Sequence, residues 1–107
     1  MAAALLVFVL LSGCSPVDAY DALKLVLDLG AGSGPSSLKE STPAPERREV
    51  LWSVGERSYR GDLYLPGEPV GAGLVLVPGL APEGRDDRRL IAFATALARS
   101  RFLVLVP

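Results

Sequence analysis

The sequence predicts an α/β fold: an antiparallel lead-in hairpin followed by one parallel β-α-β unit. Three observations carry this. Residues 49–65 alternate with period two on either side of a Gly55-Glu56 break, the pattern of two strands joined by a tight turn. Gly73-Leu74-Val75-Leu76-Val77 is a run without polar alternation that stops at Pro78-Gly79, and Phe102-Leu103-Val104-Leu105-Val106 is a second one. Between them, Leu90, Ile91, Ala94, Leu97 and Ala98 recur at helical spacing, with Phe93 adjoining. Strand, helix and strand in that order imply a parallel pair joined by a crossover.

Met1-Ala-Ala-Ala-Leu-Leu-Val-Phe-Val-Leu-Leu11 opens the chain. This apolar run is shorter than the ~20 residues that cross a bilayer and has the length of a signal-peptide core. Leu11-Ser12-Gly13-Cys14 follows at once and resembles the bacterial lipobox. Small side chains at Ser12 and Gly13 let a peptidase reach the backbone, and the Cys14 thiol is the group that accepts a diacylglyceryl chain. No Lys or Arg precedes the run, so the amino terminus alone supplies positive charge there. The resemblance implies cleavage before Cys14 and a membrane partner reached through its lipid. Ser15 is not the aspartate that retains such proteins at the inner membrane, so the expected location is the bacterial cell envelope, at the outer membrane facing the periplasm.

Residues 17–29 read as a helix, with Asp18 or Asp21 near its start and Gly30 as its stop. Val26-Leu27-Asp28-Leu29-Gly30-Ala31-Gly32-Ser33-Gly34 resembles motif I of S-adenosylmethionine-dependent methyltransferases. That motif needs a helix directly after its glycines. Here Pro35, Pro43 and Pro45 punctuate the next eleven residues. The expected structure is a helix end followed by a loop, and residues 36–48 read as a loop or extended linker.

In the hairpin, Val50, Trp52 and Val54 share one face of the first strand. Tyr59, Gly61, Leu63 and Leu65 share one face of the second, opposite Arg60, Asp62 and Tyr64. Trp52 and Tyr64 are expected to pack rather than bind a ligand. The two apolar runs are expected to be buried on both faces, as central parallel strands are. Asp86 or Asp87 is expected to cap the helix rather than form a catalytic carboxylate pair.

Composition excludes several chemistries. Eleven basic against 12 acidic residues leave a net charge of −1, without the basic patch that nucleic acid requires. One cysteine cannot make an internal disulfide. With no histidine, neither a Ser-His-Asp triad nor an ordinary zinc site can be assembled. No metal and no cofactor are expected.

The return strand Asp62-Leu63-Tyr64-Leu65-Pro66, the apolar strand, the Pro78-Gly79-Leu80-Ala81-Pro82 loop, the helix and the second strand form one ordered series. The series resembles the N-terminal part of the α/β-hydrolase fold, most closely dienelactone-hydrolase-like and esterase-like members, over residues 49–107. The resemblance implies an incomplete α/β-hydrolase fold. It also implies that the backbone N–H of Leu80, with Ala81 as neighbour, is an oxyanion-hole donor. Pro78 stands where the family usually has histidine, and Gly79 matches the family's glycine. The nucleophile elbow G-x-S-x-G, the later acid and the histidine are not in the chain.

Three segments are expected: a lipoprotein signal peptide at 1–13, an acylated N-terminus with short helix and Pro/Ser-rich linker at 14–48, and a partial α/β-hydrolase-like domain at 49–107. The implied parent hydrolyses an ester or related small acyl substrate, while this chain has no catalytic Ser, Asp or His and is expected to be inactive. The alternatives are a small complete lipoprotein with a structural or interaction role, and a methyltransferase fragment.

Overall fold

The computed structural model describes residues 16–107. The apolar run, the cleavage site and Cys14 lie outside them. The order is α1 (Pro16–Ala31), α2 (Ser37–Ser41), β1 (Glu46–Val54), β2 (Arg57–Leu65), β3 (Ala72–Val75), a 3-10 turn (Gly84–Asp86), α3 (Arg88–Arg99) and β4 (Phe102–Val106). The protein is mixed α/β, with three helices and one four-stranded mixed sheet.

The hairpin forms as its alternation predicts. Trp52 pairs with Tyr59 and Val50 with Gly61, and Gly55 (φ 60°) supplies the left-handed residue that a two-residue turn needs. Strand β1 starts three residues earlier than expected, at Glu46. The segment read as a linker also folds in part. Ser36 accepts a hydrogen bond from the Lys39 N–H (3.1 Å) and caps α2.

The sheet order is β1-β2-β4-β3. Strand β4 runs parallel to β3 and antiparallel to β2, which places it inside the sheet and leaves β3 at an edge. The expectation that residues 73–77 are buried on both faces is therefore corrected: Leu74, Val75 and Val77 are all exposed. β3 is an edge strand, as β1 is at the other side, because β4 inserts between the hairpin and β3. In β4, Val104 and Val106 are buried while Phe102, Leu103 and Leu105 are half-buried.

The core lies between α3 and one sheet face. Ala94, Leu97 and Ala98 of α3 pack against Tyr64, Val104 and Val106, with Leu25, Leu76, Leu90 and Phe102 at the margin. Phe93 does not join the packed stripe and is exposed. The pairing register places Arg47, Asp62, Tyr64, Val104 and Val106 on this covered face. Val50, Trp52, Leu63, Leu65, Leu103 and Leu105 fall on the other face, away from α3, and are half-buried.

Helix α1 continues past Gly30 to Ala31, and Gly32 (φ 59°) supplies the left-handed residue beyond its end. No helix among the described residues is long and apolar enough to cross a membrane.

Candidate functional site

The segment between β3 and α3 is built by local hydrogen bonds. The Leu76 N–H still donates to the Leu105 carbonyl (2.8 Å), after which Pro78 cannot extend the ladder. Gly79 turns the chain with φ 67°, a conformation that costs a side-chain-bearing residue energy. Leu80 is fully exposed, and no acceptor to its N–H is found among the described residues, while Gly79 and Leu80 form a turn that brings the Ala81 N–H back toward the Pro78 carbonyl. The chain then closes through Gly84 N–H to Ala81 O (2.9 Å), and Gly84 takes φ 53°.

Asp87 ends the segment and caps α3. Its carboxylate accepts from the N–H groups of Arg89 (2.9 Å) and Leu90 (3.3 Å). Those two donors, Leu90 first, hold its carboxyl below the usual range. Asp86, the other candidate cap, turns to the sheet instead and meets Arg47 at 3.0 Å.

That contact belongs to a charge cluster which fastens the segment to the hairpin. Asp62, on β2 and 5% exposed, sits at its centre. Its Oδ2 accepts from Arg47 Nη2 (2.6 Å) and Nε (3.2 Å), and its Oδ1 accepts from Arg85 Nη1 (2.9 Å). Arg47 also donates to the Arg85 carbonyl (3.3 Å), and Arg85 reaches Glu49 (3.4 Å). Hydrogen bonding to Asp62 is the main cause that raises the Arg47 pKa, against the opposing effect of burial. The Arg47 guanidinium lies 5.7 Å from the Tyr64 ring centre. Burial pushes the Tyr64 phenol up, with Arg47 opposing. Sequence reasoning missed this cluster. Its one signal was Asp62 alternating in register with Tyr64.

The other sequence candidates lie elsewhere. Asp28, the acid of the methyltransferase-like motif, is on α1 rather than at a strand end. It accepts from Ser36 Oγ (2.6 Å) and pairs with Lys39 (3.0 Å), whose ammonium also takes the carbonyls of Gly32 (2.7 Å) and Gly34 (2.8 Å). The glycine loop is thus closed on a lysine. Trp52 stacks on Tyr59, with ring centres 5.9 Å apart, and Tyr64 is on the opposite face. A crevice of about 220 Å³ lies between α1 and the end of α3 and shares no residue with the Leu80 loop. Two of its basic groups are already engaged, Lys24 with Ser41 (3.3 Å) and Arg99 with the Thr42 carbonyl (3.0 Å).

Chemically, the Leu80 segment offers backbone N–H donors on a loop pinned at one end by the charge cluster and the Asp87 cap. Two of its carboxylates are engaged, Asp86 with Arg47 and Asp87 with the Arg89 and Leu90 N–H groups. No family model, curated protein or solved structure matches this chain.

Proposed function

We propose that this chain is the N-terminal portion of a lipid-anchored α/β-hydrolase-like protein whose parent reaction is hydrolysis of an ester or related acyl substrate. The observation that carries the reading is the sheet order β1-β2-β4-β3, with β2 antiparallel to a parallel β3/β4 pair. An α/β-hydrolase sheet of the kind named above begins in this order, and its oxyanion loop follows the third strand. Leu80 and Ala81 follow the third strand here as well, and the Leu80 N–H has no acceptor among the described residues. The free edge of β3 and the leucines on the sheet face away from α3 add support, since further strands and helices would cover both.

In this reading the loop binds the developing oxyanion of a tetrahedral intermediate through backbone donors. The nucleophile, acid and base come from sequence beyond Pro107, and Cys14 carries the lipid that holds the protein at the membrane.

The test is chemical. A fluorophosphonate probe should label a serine of the parent protein in membranes and leave residues 1–107 unlabelled. In the parent, Leu80→Pro removes the N–H and should lower kcat by roughly 10²–10³-fold, whereas Leu80→Ala keeps it. A reading frame that encodes no G-x-S-x-G beyond Pro107, in any frame, would sink the proposal. The anchor is tested separately: a Cys14→Ser protein that fractionates with membranes like the parent rules out acylation.

A further inference from the structure

Helix α1 leaves most of its large apolar residues exposed. Asp28 is buried and bonds Ser36 (2.6 Å) and Lys39 (3.0 Å), while the half-buried Lys24 bonds Ser41 (3.3 Å) and lies 4.8 Å over the Tyr20 ring. Leu25 alone of its large apolar residues joins the core. Tyr20, Leu23 and Leu27 recur at i, i+3 and i+7 on the outer side with Val26 beside them, and they are 56%, 52%, 56% and 63% exposed. An ordinary surface helix buries its apolar stripe and shows its charges to water.

We propose that this outward stripe lies in the lipid–water interface, so that α1 is a second membrane contact beside the Cys14 lipid. The proposal rests on the lipid-anchored reading and deepens it. Helix α1 starts at Pro16, two residues beyond Cys14. In the lipid-anchored reading, a lipid on Cys14 is therefore carried next to the first turn of α1. Sixteen residues make a helix of about 24 Å, short of the ~30 Å hydrocarbon core. It therefore lies on the membrane rather than across it. A lipid surface fits the stripe better than a second copy does, because the tether brings lipid to the stripe with no association step.

The distinction matters for anchoring. A diacylglyceryl group supplies two acyl chains and holds the protein by itself, so the apolar contact of α1 adds to attachment rather than creating it. It also sets orientation, since the open sheet face lies on the far side of the sheet from the helix layer.

The test uses full-length protein in vesicles of phosphatidylethanolamine and phosphatidylglycerol containing a brominated phosphatidylcholine. Trp52 is the protein's one tryptophan and sits on the open sheet face. In a Trp52→Phe background, tryptophan is placed by Leu23→Trp or Leu27→Trp, both exposed positions that leave packing intact. The expected result is loss of most of the emission at either position on vesicles, and little loss for native Trp52. Unquenched emission from both positions on vesicle-bound protein would overturn the proposal, as would a doubled mass in light scattering with both positions shielded, which assigns the stripe to a second copy. Protein that carries the Cys14 lipid and still does not float with the vesicles overturns it as well. Lipid mass on Cys14 is measured in parallel, so a missing lipid is distinguishable from a helix that stays off the bilayer.

Discussion

Arg47 and Asp86 are separated by 39 residues in the chain and by 3.0 Å in space. Their contact joins the first strand to the loop that carries Leu80. Asp62, between the two arginines, makes the join specific, because each of its oxygens takes a different guanidinium. Arg supplies this role better than Lys, since its planar fork spans two acceptors.

Removing Asp62 leaves Arg47 and Arg85 facing each other with Glu49 and Asp86 as their remaining partners. Asp62→Ala is expected to lower stability by about 2–3 kcal/mol, and Asp62→Asn by less, as read from urea unfolding followed by Trp52 fluorescence. An unchanged midpoint for Asp62→Ala would show that the cluster does not fasten the loop.

The Asp87 cap gives a pH signature. Its carboxyl is held down in the folded protein by two N–H donors, so the unfolded chain takes up a proton first as pH falls. The stabilisation is complete above the unfolded value of about 3.9 and is lost as pH drops through the lower folded value. Asp87→Ala is expected to be less stable than the parent at pH 7, with the gap closing on acidification. A gap that stays constant down to strongly acid pH contradicts the cap.

Gly61 is required by close approach rather than by its backbone angles. A methyl group there would meet the Val106 carbonyl oxygen at 2.8 Å and Trp52 Cη2 at 3.2 Å. Gly61→Ala is expected to cost about 1–3 kcal/mol. Gly73→Ala, where nothing lies within 4 Å, should stay within about 0.5 kcal/mol. Equal thermal midpoints for the two variants would refute the distinction.

In α3, Leu97 is 6% exposed and joins the core, while Phe93 on the same helix is exposed. Leu97→Ala is expected to lose about 2–4 kcal/mol, and Phe93→Ala much less. Calorimetric melting of the pair decides whether the packed stripe is the one described.

Local pattern revealed the elements whose partners are local. The hairpin could be read because β1 and β2 alternate around a two-residue turn with glycine at its left-handed position. Helix α3 could be read because Leu90, Ala94, Leu97 and Ala98 repeat at helical spacing. The position of β3 could not, because an apolar run reads the same at the centre of a sheet as at its edge, and only the insertion of β4 decides which it is. The charge cluster was hidden for the same reason. Arg47, Asp62 and Arg85 come from three segments, and each alone reads as a solvated charge. The helix stop was misplaced because Gly30 and Gly32 are both plausible ends, and only backbone geometry chooses Gly32.

Strand β4 pairs with β2 on one side and β3 on the other, and it is the last of the four to be synthesised. While the ribosome is still making residues 102–106, the hairpin and β3 have no shared ladder, and α3 has no Val104 or Val106 to pack against. Only the hairpin and the helices, whose contacts are near in sequence, can form before then. The sheet is joined in one late step, so a slow stretch of translation upstream of Phe102 leaves β2 and the β4-facing side of β3 open to other chains for as long as it lasts.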